Sequence, residues 1–500
     1  MQPRCWRLAA LMLAATLAAC EVGPDYERPV AAAPAAYKEI DGWKPSAPSD
    51  LVNRGPWWSI YNDPLLDQLE AQVDISNQNL KAAEAAYREA RAVVAEARAG
   101  LFPTLSVDAS AQRSGQGAGS NTSGGTASRG GRVQNQFNAT ASASWELDVW
   151  GRIRRAVESD VASAQASAAD LAAARLSAQT LLATNYLQLR IADELKRLLD
   201  DTTVAFARSL QITVNRYQEG IAARSDVASA RAQYESTRAQ AINVGVQRAA
   251  LEHAIAVLIG KPPAELTIVS DKFAAIVPVM PPGLPSTLLE RRPDIAGAER
   301  RVAAANAQIG VAVAAYYPAL TLSASYGVVS TALDTLFRTA SGVWSVGPAL
   351  AQTVYDAGLR SAQVDAARAL YDQDVANYRQ TVLAAFQQVE DQLAALRILE
   401  QQAAVQDAAV AAAQEAEALI FNQYTAGTVA YTNVITAQTV ALSNRQTALS
   451  ILQSRLVASV TLLEALGGGW DAAQLPSDAQ VKGGDTRPIR ASDATPPAAP

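Results

Sequence analysis

Residues 64–259 and 288–466 of this 500-residue chain carry one pattern twice. Tyr217-x-x-Gly220 returns as Tyr424-x-x-Gly427, Gly151 as Gly358, and Leu189-Arg190-Ile191 as Leu396-Arg397-Ile398, each 207 residues further on. Phe102-Pro103 returns as Tyr317-Pro318 at an offset of 215. Each copy holds long alanine-rich helical stretches around two short strands. That makes four strands per chain, and four strands cannot close a barrel. If the strands belong in a barrel, several copies of the chain must build it.

The strands carry the cleanest pattern. In the second, expected at about 135–147, Phe137, Ala139, Ala141, Ala143, Trp145 and Leu147 alternate with Gln136, Asn138, Thr140, Ser142, Ser144 and Glu146. In the first, at about 104–112, Leu105, Val107, Ala109 and Ala111 alternate with Thr104, Ser106, Asp108 and Ser110. Period two with one apolar face is a half-buried strand. A length of about ten residues suits a tilted membrane strand. Phe102, Trp150, Tyr317 and Tyr355 cluster at one end of both hairpins, as an aromatic girdle at a membrane interface would. The opposite face is small and polar, as a wet lumen requires. The second copy is expected to place strands near 320–327 and 343–351. Two chains would give an eight-strand barrel filled by its own side chains. Three would give twelve strands and four would give sixteen, both able to hold water. The residues alone leave three and four open.

The helices add a second constraint. Helix 152–216 would be about 100 Å long at about 1.5 Å per residue, and a helix of that length needs partners throughout. Helices 65–99 and 221–259, stacked end to end, match it. The second copy repeats the order with helices 286–316, 358–423 and 428–466. Residues 260–287 form a Pro-rich linker between the copies, and 467–500 read as a mostly disordered tail.

The N-terminus reads as a leader. Arg4 and Arg7 precede the short apolar run Leu8–Leu17, which ends in Leu17-Ala18-Ala19-Cys20. Residues 1–19 are therefore expected to be a signal peptide, with Cys20 as a lipidation site. Residues 20–63 would be a lipidated, Pro-rich equatorial segment. Cys5 and Cys20 are the only cysteines, so the mature chain has no intrachain disulfide. No later stretch reads as an apolar transmembrane helix. Net charge is −6, and −8 once Arg4 and Arg7 leave, which argues against a nucleic-acid partner. His253 is the only histidine. It reads as a structural residue among Leu251, Ile255 and Leu258. One histidine and one mature cysteine leave no Ser-His-Asp triad, Cys-His pair or ordinary zinc site. No enzyme, cofactor or metal is expected. Gly115-x-Gly117-x-Gly119 sits between strands and opens no helix, so it reads as a loop and not as a dinucleotide fingerprint.

These residues resemble the TolC superfamily of outer membrane channels, in its lipoprotein branch, often labelled NodT. The motifs are the Cys20 lipobox followed by Val22-Gly23-Pro24-Asp25-Tyr26-Glu27-Arg28-Pro29, Trp57-Trp58-x-x-Tyr61-x-Asp63-Pro64, Asp148-Val149-Trp150-Gly151-Arg152, Leu288-Leu289-Glu290-Arg291-Arg292-Pro293-Asp294-Ile295 and Gly467-Gly468-Gly469-Trp470. The resemblance implies a mostly α fold with a membrane β-barrel. It implies a homotrimer in which a twelve-strand β-barrel in the Gram-negative outer membrane continues into a twelve-helix periplasmic α-barrel. It also implies a passive exit duct for small molecules in a tripartite efflux pump, opened by a periplasmic adaptor (membrane fusion) protein and an inner-membrane transporter of the RND class.

Under that resemblance the two Tyr-x-x-Gly turns form the periplasmic tips. Tyr217, Gly220 and Asp226 mark the first, and Tyr424, Gly427, Tyr431, Asn433 and Thr436 the second. Similar channels carry an acidic ring just after the second turn. Here the matching positions are Asn433 and Thr436, so acidic density is expected from Asp226 or Glu219. Val429 stands where the family has an arginine. A closed gate is expected to rest on packing and neutral hydrogen bonds around Tyr424, Tyr431 and Asn433. Two rivals remain: a type I protein-secretion duct, and a lipid-anchored periplasmic coiled-coil scaffold with no pore. The scaffold explains the helices but not the strands.

Overall fold

The computed structural model describes residues 21–31, 34, 36–40, 56–116, 132–273, 277–278 and 288–483. Cys20 and the expected signal peptide lie outside them. In the first copy, α1 spans Pro64–Ser76, α2 Gln78–Ala99, β1 Thr104–Gln116, β2 Arg132–Leu147, α3 Arg152–Gln218 and α4 Arg224–Leu258. In the second, α5 spans Pro293–Ala314, β3 Ala319–Ser330, β4 Gly342–Ala351, α6 Leu359–Thr425 and α7 Tyr431–Ala465. The long helices α3 and α6 have 67 residues each.

The expected single helix over 65–99 is broken at Asn77. Its side chain accepts hydrogen bonds from the Asn79 and Leu80 amides at 2.9 and 3.1 Å, which starts α2 afresh. Its amide group also donates to the Leu258 carbonyl at 2.8 Å, tying the break to the end of α4. Asp63 caps α1 in the same way, accepting from Leu65 and Leu66 ahead of the N1 proline Pro64.

Four helices end alike. At Gly220, Gly260, Gly427 and Gly467 the backbone is left-handed, with φ of +76°, +68°, +81° and +95°. In each, the glycine amide and the next amide reach back to close the last turn, as in Ile221 N to Arg216 O at 2.8 Å and Thr428 N to Gln423 O at 3.0 Å. This is the glycine-terminated helix end in which φ > 0 carries no Cβ penalty. The four positions are two pairs, each 207 residues apart, so the duplication repeats its punctuation as well as its helices.

Around α3, the helices α2, α4, α5 and α7 pack lengthwise, and α6 pairs with α5 and α7. The core lies midway along the bundle, around Tyr186, Leu187, Leu189 and Ile191 of α3, Leu66 and Val73 of α1, and Leu456 and Val460 of α7. The matched Leu-Arg-Ile triplets do matched work there. Arg190 donates to Tyr186 Oη at 2.9 Å and to the Val269 carbonyl at 2.9 Å, which pins the inter-repeat linker. Arg397 pairs with Glu39 and so pins the N-terminal segment. Arg248 completes the first network through Asp193 at 2.7 Å and Glu252 at 2.9 Å.

The structure differs from four expectations. The N-terminal segment is not equatorial from its start. Val22 N donates to the Trp150 carbonyl at 3.2 Å and Arg155 pairs with Asp25 at 2.9 Å, so residues 21–26 lie at the junction of sheet and helices. Gly151 faces this segment so closely that a Cβ there would meet Glu21 Cγ at 2.7 Å. Residues 467–483 of the tail are ordered: Asp478–Lys482 form a helix, α8, whose Val481 is buried against α2 and α3. Residues beyond 483 lie outside the described ones. Finally, α7 contains an 18-residue stretch long and apolar enough to cross a membrane. Its Ala441, Leu442, Leu456, Val460 and Leu462 are nevertheless buried inside the chain. His253, read as a residue on an apolar face, is exposed on α4.

Candidate functional site

The strands form one antiparallel sheet in the order β1-β2-β3-β4. All run beyond the expected core lengths, at 13, 16, 12 and 10 residues. Register decides the chemistry of each face. Leu105 pairs with Ala143, Ala143 with Ala324, and Ala324 with Val346. Two residues further along β1, Val107, Ala141, Tyr326 and Trp344 align in the same way. Between these rungs run Ser106, Ser142, Ser325 and Ser345 on the other face. Their hydroxyls pair across strands, Ser106 with Ser142 at 3.3 Å and Ser325 with Ser345 at 2.9 Å. A slip of one residue at any pairing would mix the faces.

The apolar face is open. Leu105 and Val107 are 80% and 81% exposed, Trp344 74% and Leu350 69%. Water disfavours such a surface and hydrocarbon accepts it. Among the described residues the outer edges of β1 and β4 have no partner strand.

The four girdle residues gather where the sheet meets the helices. Trp150 stacks on Tyr317 with centroids 4.8 Å apart, and its Nε1 donates to the Pro318 carbonyl at 2.9 Å. Phe102 and Tyr355 are 65% and 86% exposed beside them. Sequence reading missed a second aromatic level at the far end: Tyr326, Trp344 and Phe337, all largely exposed. The signal was present, because Tyr326 and Trp344 fall on the apolar alternation of β3 and β4. Tyr317 and Tyr326 are separated by about 30 Å of strand at about 3.3 Å per residue. Tilted by about 40°, that gives close to the 25 Å apolar band of a membrane barrel.

At the other end of the bundle the two helix tips meet. Tyr424 and Tyr431 are buried, with rings 5.1 Å apart and tilted at 58°. They pack with Ala230 and Val434. Tyr431 shares a hydrogen bond with Ser209 at 3.2 Å, and Tyr424 donates to Thr213 at 3.4 Å. Gly220 and Gly427 make the reversals described above. Asp226 stands in the first turn of α4, where its carboxylate accepts from the Ala223 amide at 3.4 Å. Tyr217 is exposed at its turn. Asn433 and Thr436 are exposed, and Thr436 donates back to the Thr432 carbonyl within its helix. The structure therefore keeps Asn433 out of the tyrosine cluster.

The tip is not held by neutral groups alone. Arg216, the last basic residue of α3, donates to the carbonyls of Tyr424 and Thr425 at 3.0 and 2.9 Å. Its guanidinium also lies 4.8 Å from the centre of the Tyr424 ring. A cation on the exposed carbonyls of a helix C-terminus satisfies both their hydrogen bonding and the helix dipole. One sequence cue existed for it: Arg216 precedes the repeated Tyr-x-x-Gly, but the matching position in the second copy is Gln423.

A family model described as outer membrane efflux protein matches residues 70–261 and 284–468. The toluene efflux pump outer membrane protein TtgC of Pseudomonas putida is 30% identical over 466 residues, covering 93% of this chain and 95% of that protein. The cation efflux system protein CusC of Escherichia coli is 28% identical over 466 residues, covering 93% and 99%. Among solved structures, the outer-membrane channel OprN superposes with a TM-score of 0.82 at 30% identity, covering 90% of this chain and all of that one.

Proposed function

The chain belongs to the outer membrane efflux protein family, and we propose that it forms the outer-membrane exit duct of a tripartite efflux pump. The observation that carries this reading is the register of the sheet. Four strands share one apolar and one hydroxyl-lined face, with two open edges, on top of helices about 100 Å long. An open edge is not tolerated in lipid, so neighbouring copies must supply the missing pairings. Three copies close twelve strands around a water-filled lumen, and their helix pairs extend it as a twelve-helix barrel through the periplasm.

Cys20 carries the acyl anchor in this reading. Residues 21–26 support it, because Val22 bonds to the Trp150 carbonyl and the described segment therefore starts beside the girdle. A periplasmic adaptor and an RND-type inner-membrane transporter complete the pump. The transporter supplies the energy and selects the cargo, so the duct needs no catalytic group. The relatives bear names as different as toluene efflux and cation efflux on one fold, which fits a duct that does not choose its cargo.

The tips act as the gate. Arg216, Tyr424 and Tyr431 clasp α3 to the turn between α6 and α7, and opening must part them. With Asn433 and Thr436 neutral, Asp226 and Glu219 set the charge at the mouth. Single-channel recording in planar bilayers tests both points. The duct reading predicts conductance that rises in Arg216→Ala, and cation preference that falls in Asp226→Ala with Glu219→Ala. Cation preference unchanged in that double variant refutes the charge assignment, and a protein without conductance in any form refutes the duct.

A further inference from the structure

A cavity of about 450 Å³ lies just below the girdle, and nothing in the duct reading uses it. Arg98 and Leu101 at the end of α2 form one wall, and Arg154 and Val157 of α3 another. Glu21 of the N-terminal segment and Lys482 of α8 close it. The C-terminal helix is thus brought to the place where the anchor segment enters the fold. Besides the buried Val481, its position is held by Arg98, which donates to the Lys482 carbonyl, and by Gln165, which donates to the Pro476 carbonyl at 3.1 Å and to Asp478 at 3.0 Å.

We propose that this cavity binds the headgroup of a glycerophospholipid of the inner leaflet. The inference rests on the membrane reading above. Height is the first argument. Leu101 adjoins the exposed girdle residue Phe102, and Arg98 lies one turn of helix away from the sheet, about 6 Å further from the membrane. That is the depth of the polar headgroup layer, which adds about 5–7 Å to each side of the hydrocarbon. Charge is the second. The cations Arg98, Arg154 and Lys482 can take a phosphate, whose oxygens accept charge-assisted hydrogen bonds. Shape is the third: Leu101 and Val157 give the glycerol and upper acyl carbons an apolar wall, while the cations stay in the polar layer. The lining also holds three carboxylates, Glu21, Glu158 and Asp478, which suit the ammonium of a zwitterionic headgroup; Glu21 itself lies 3.4 Å from Arg155. Arg154 is fixed in place by Asp148 at 3.3 Å, and Lys482 pairs with Asp478 at 3.3 Å one turn back along α8.

The test is native mass spectrometry of the full-length protein in detergent, titrated with palmitoyl-oleoyl phosphatidylethanolamine. The Lys482→Glu variant reverses one charge at an exposed side chain and leaves the backbone carbonyl that Arg98 uses. It is expected to bind at least about tenfold more weakly, as loss of a charge-assisted contact requires, while Lys482→Arg binds as the parent does. Arg98→Gln serves as a second variant, with circular dichroism confirming the fold. Equal binding by parent, Lys482→Glu and Arg98→Gln overturns the proposal. So does competition by millimolar inorganic phosphate that removes the lipid completely, because the site would then be one for free phosphate. A protein that is monomeric and soluble without detergent would instead overturn the membrane reading itself, which separates the two failures.

Discussion

Two residues decide most at the smallest scale, and sequence reading reached neither. Arg216 was hidden because the duplication drew attention to what the copies share, and Arg216 is where they differ. Replacing it with alanine removes two hydrogen bonds from a charged donor, each worth about 1.5–3 kcal/mol when buried and less here, at the partly exposed tip. The expected outcome is a duct that opens spontaneously, read as a higher open probability, with the assembled protein otherwise intact. Glu70 is the other. It is fully buried in α1, and both its oxygens lack hydrogen-bond partners among the described residues. Burial, with Asp74 and Asp67 nearby, pushes its carboxyl up to about 9. A carboxyl that holds its proton more tightly when folded favours the folded state at low pH. That advantage is lost as pH climbs from about 4.5, the unfolded value, to about 9. Glu70→Gln should therefore melt at a higher temperature than the parent at pH 8, with the difference shrinking toward pH 5. A constant difference across that range would show that Glu70 does not titrate there.

Elements were far more legible than single residues, for a physical reason. Period two in β2 and the repeated glycines each sample many positions, so their signals add. Helix ends depend on one side chain and its distant partner. Asn77 shows the difference: an asparagine is a common cap but also sits inside helices, and what makes this one a break includes its third bond, to Leu258, 181 residues away. Asn77→Ala loses the cap and leaves the Leu258 carbonyl unpaired. A cost of about 1–2 kcal/mol is expected, measurable as a lower midpoint in chemical denaturation, and Asn77→Asp, which keeps the cap, should recover part of it. The tail failed for the opposite reason. Its Pro, Ala and Asp composition resembles disorder, yet Ser477 and Gln480 cap α8 reciprocally and Val481 finds a buried seat. A five-residue helix owes its existence to that docking and not to its own propensity.

For the molecule as a whole, duplication, strand chemistry and helix length converge on an assembly that one chain cannot complete. The open faces make a definite prediction: a Cys20→Ser variant, without its acyl groups, should still require detergent and should sediment as a trimer. Behaviour as a monomer in plain buffer would fit the scaffold reading instead. The most direct measurement concerns the two faces. Single cysteines placed along β2 in that background, reconstituted in vesicles, can be probed with a membrane-impermeant thiol reagent. The account predicts labelling with period two: positions 138, 140, 142 and 144 react through the water-filled lumen, while 139, 141, 143 and 145 are shielded by acyl chains. Uniform labelling along the strand, or protection of the serine face, would contradict it.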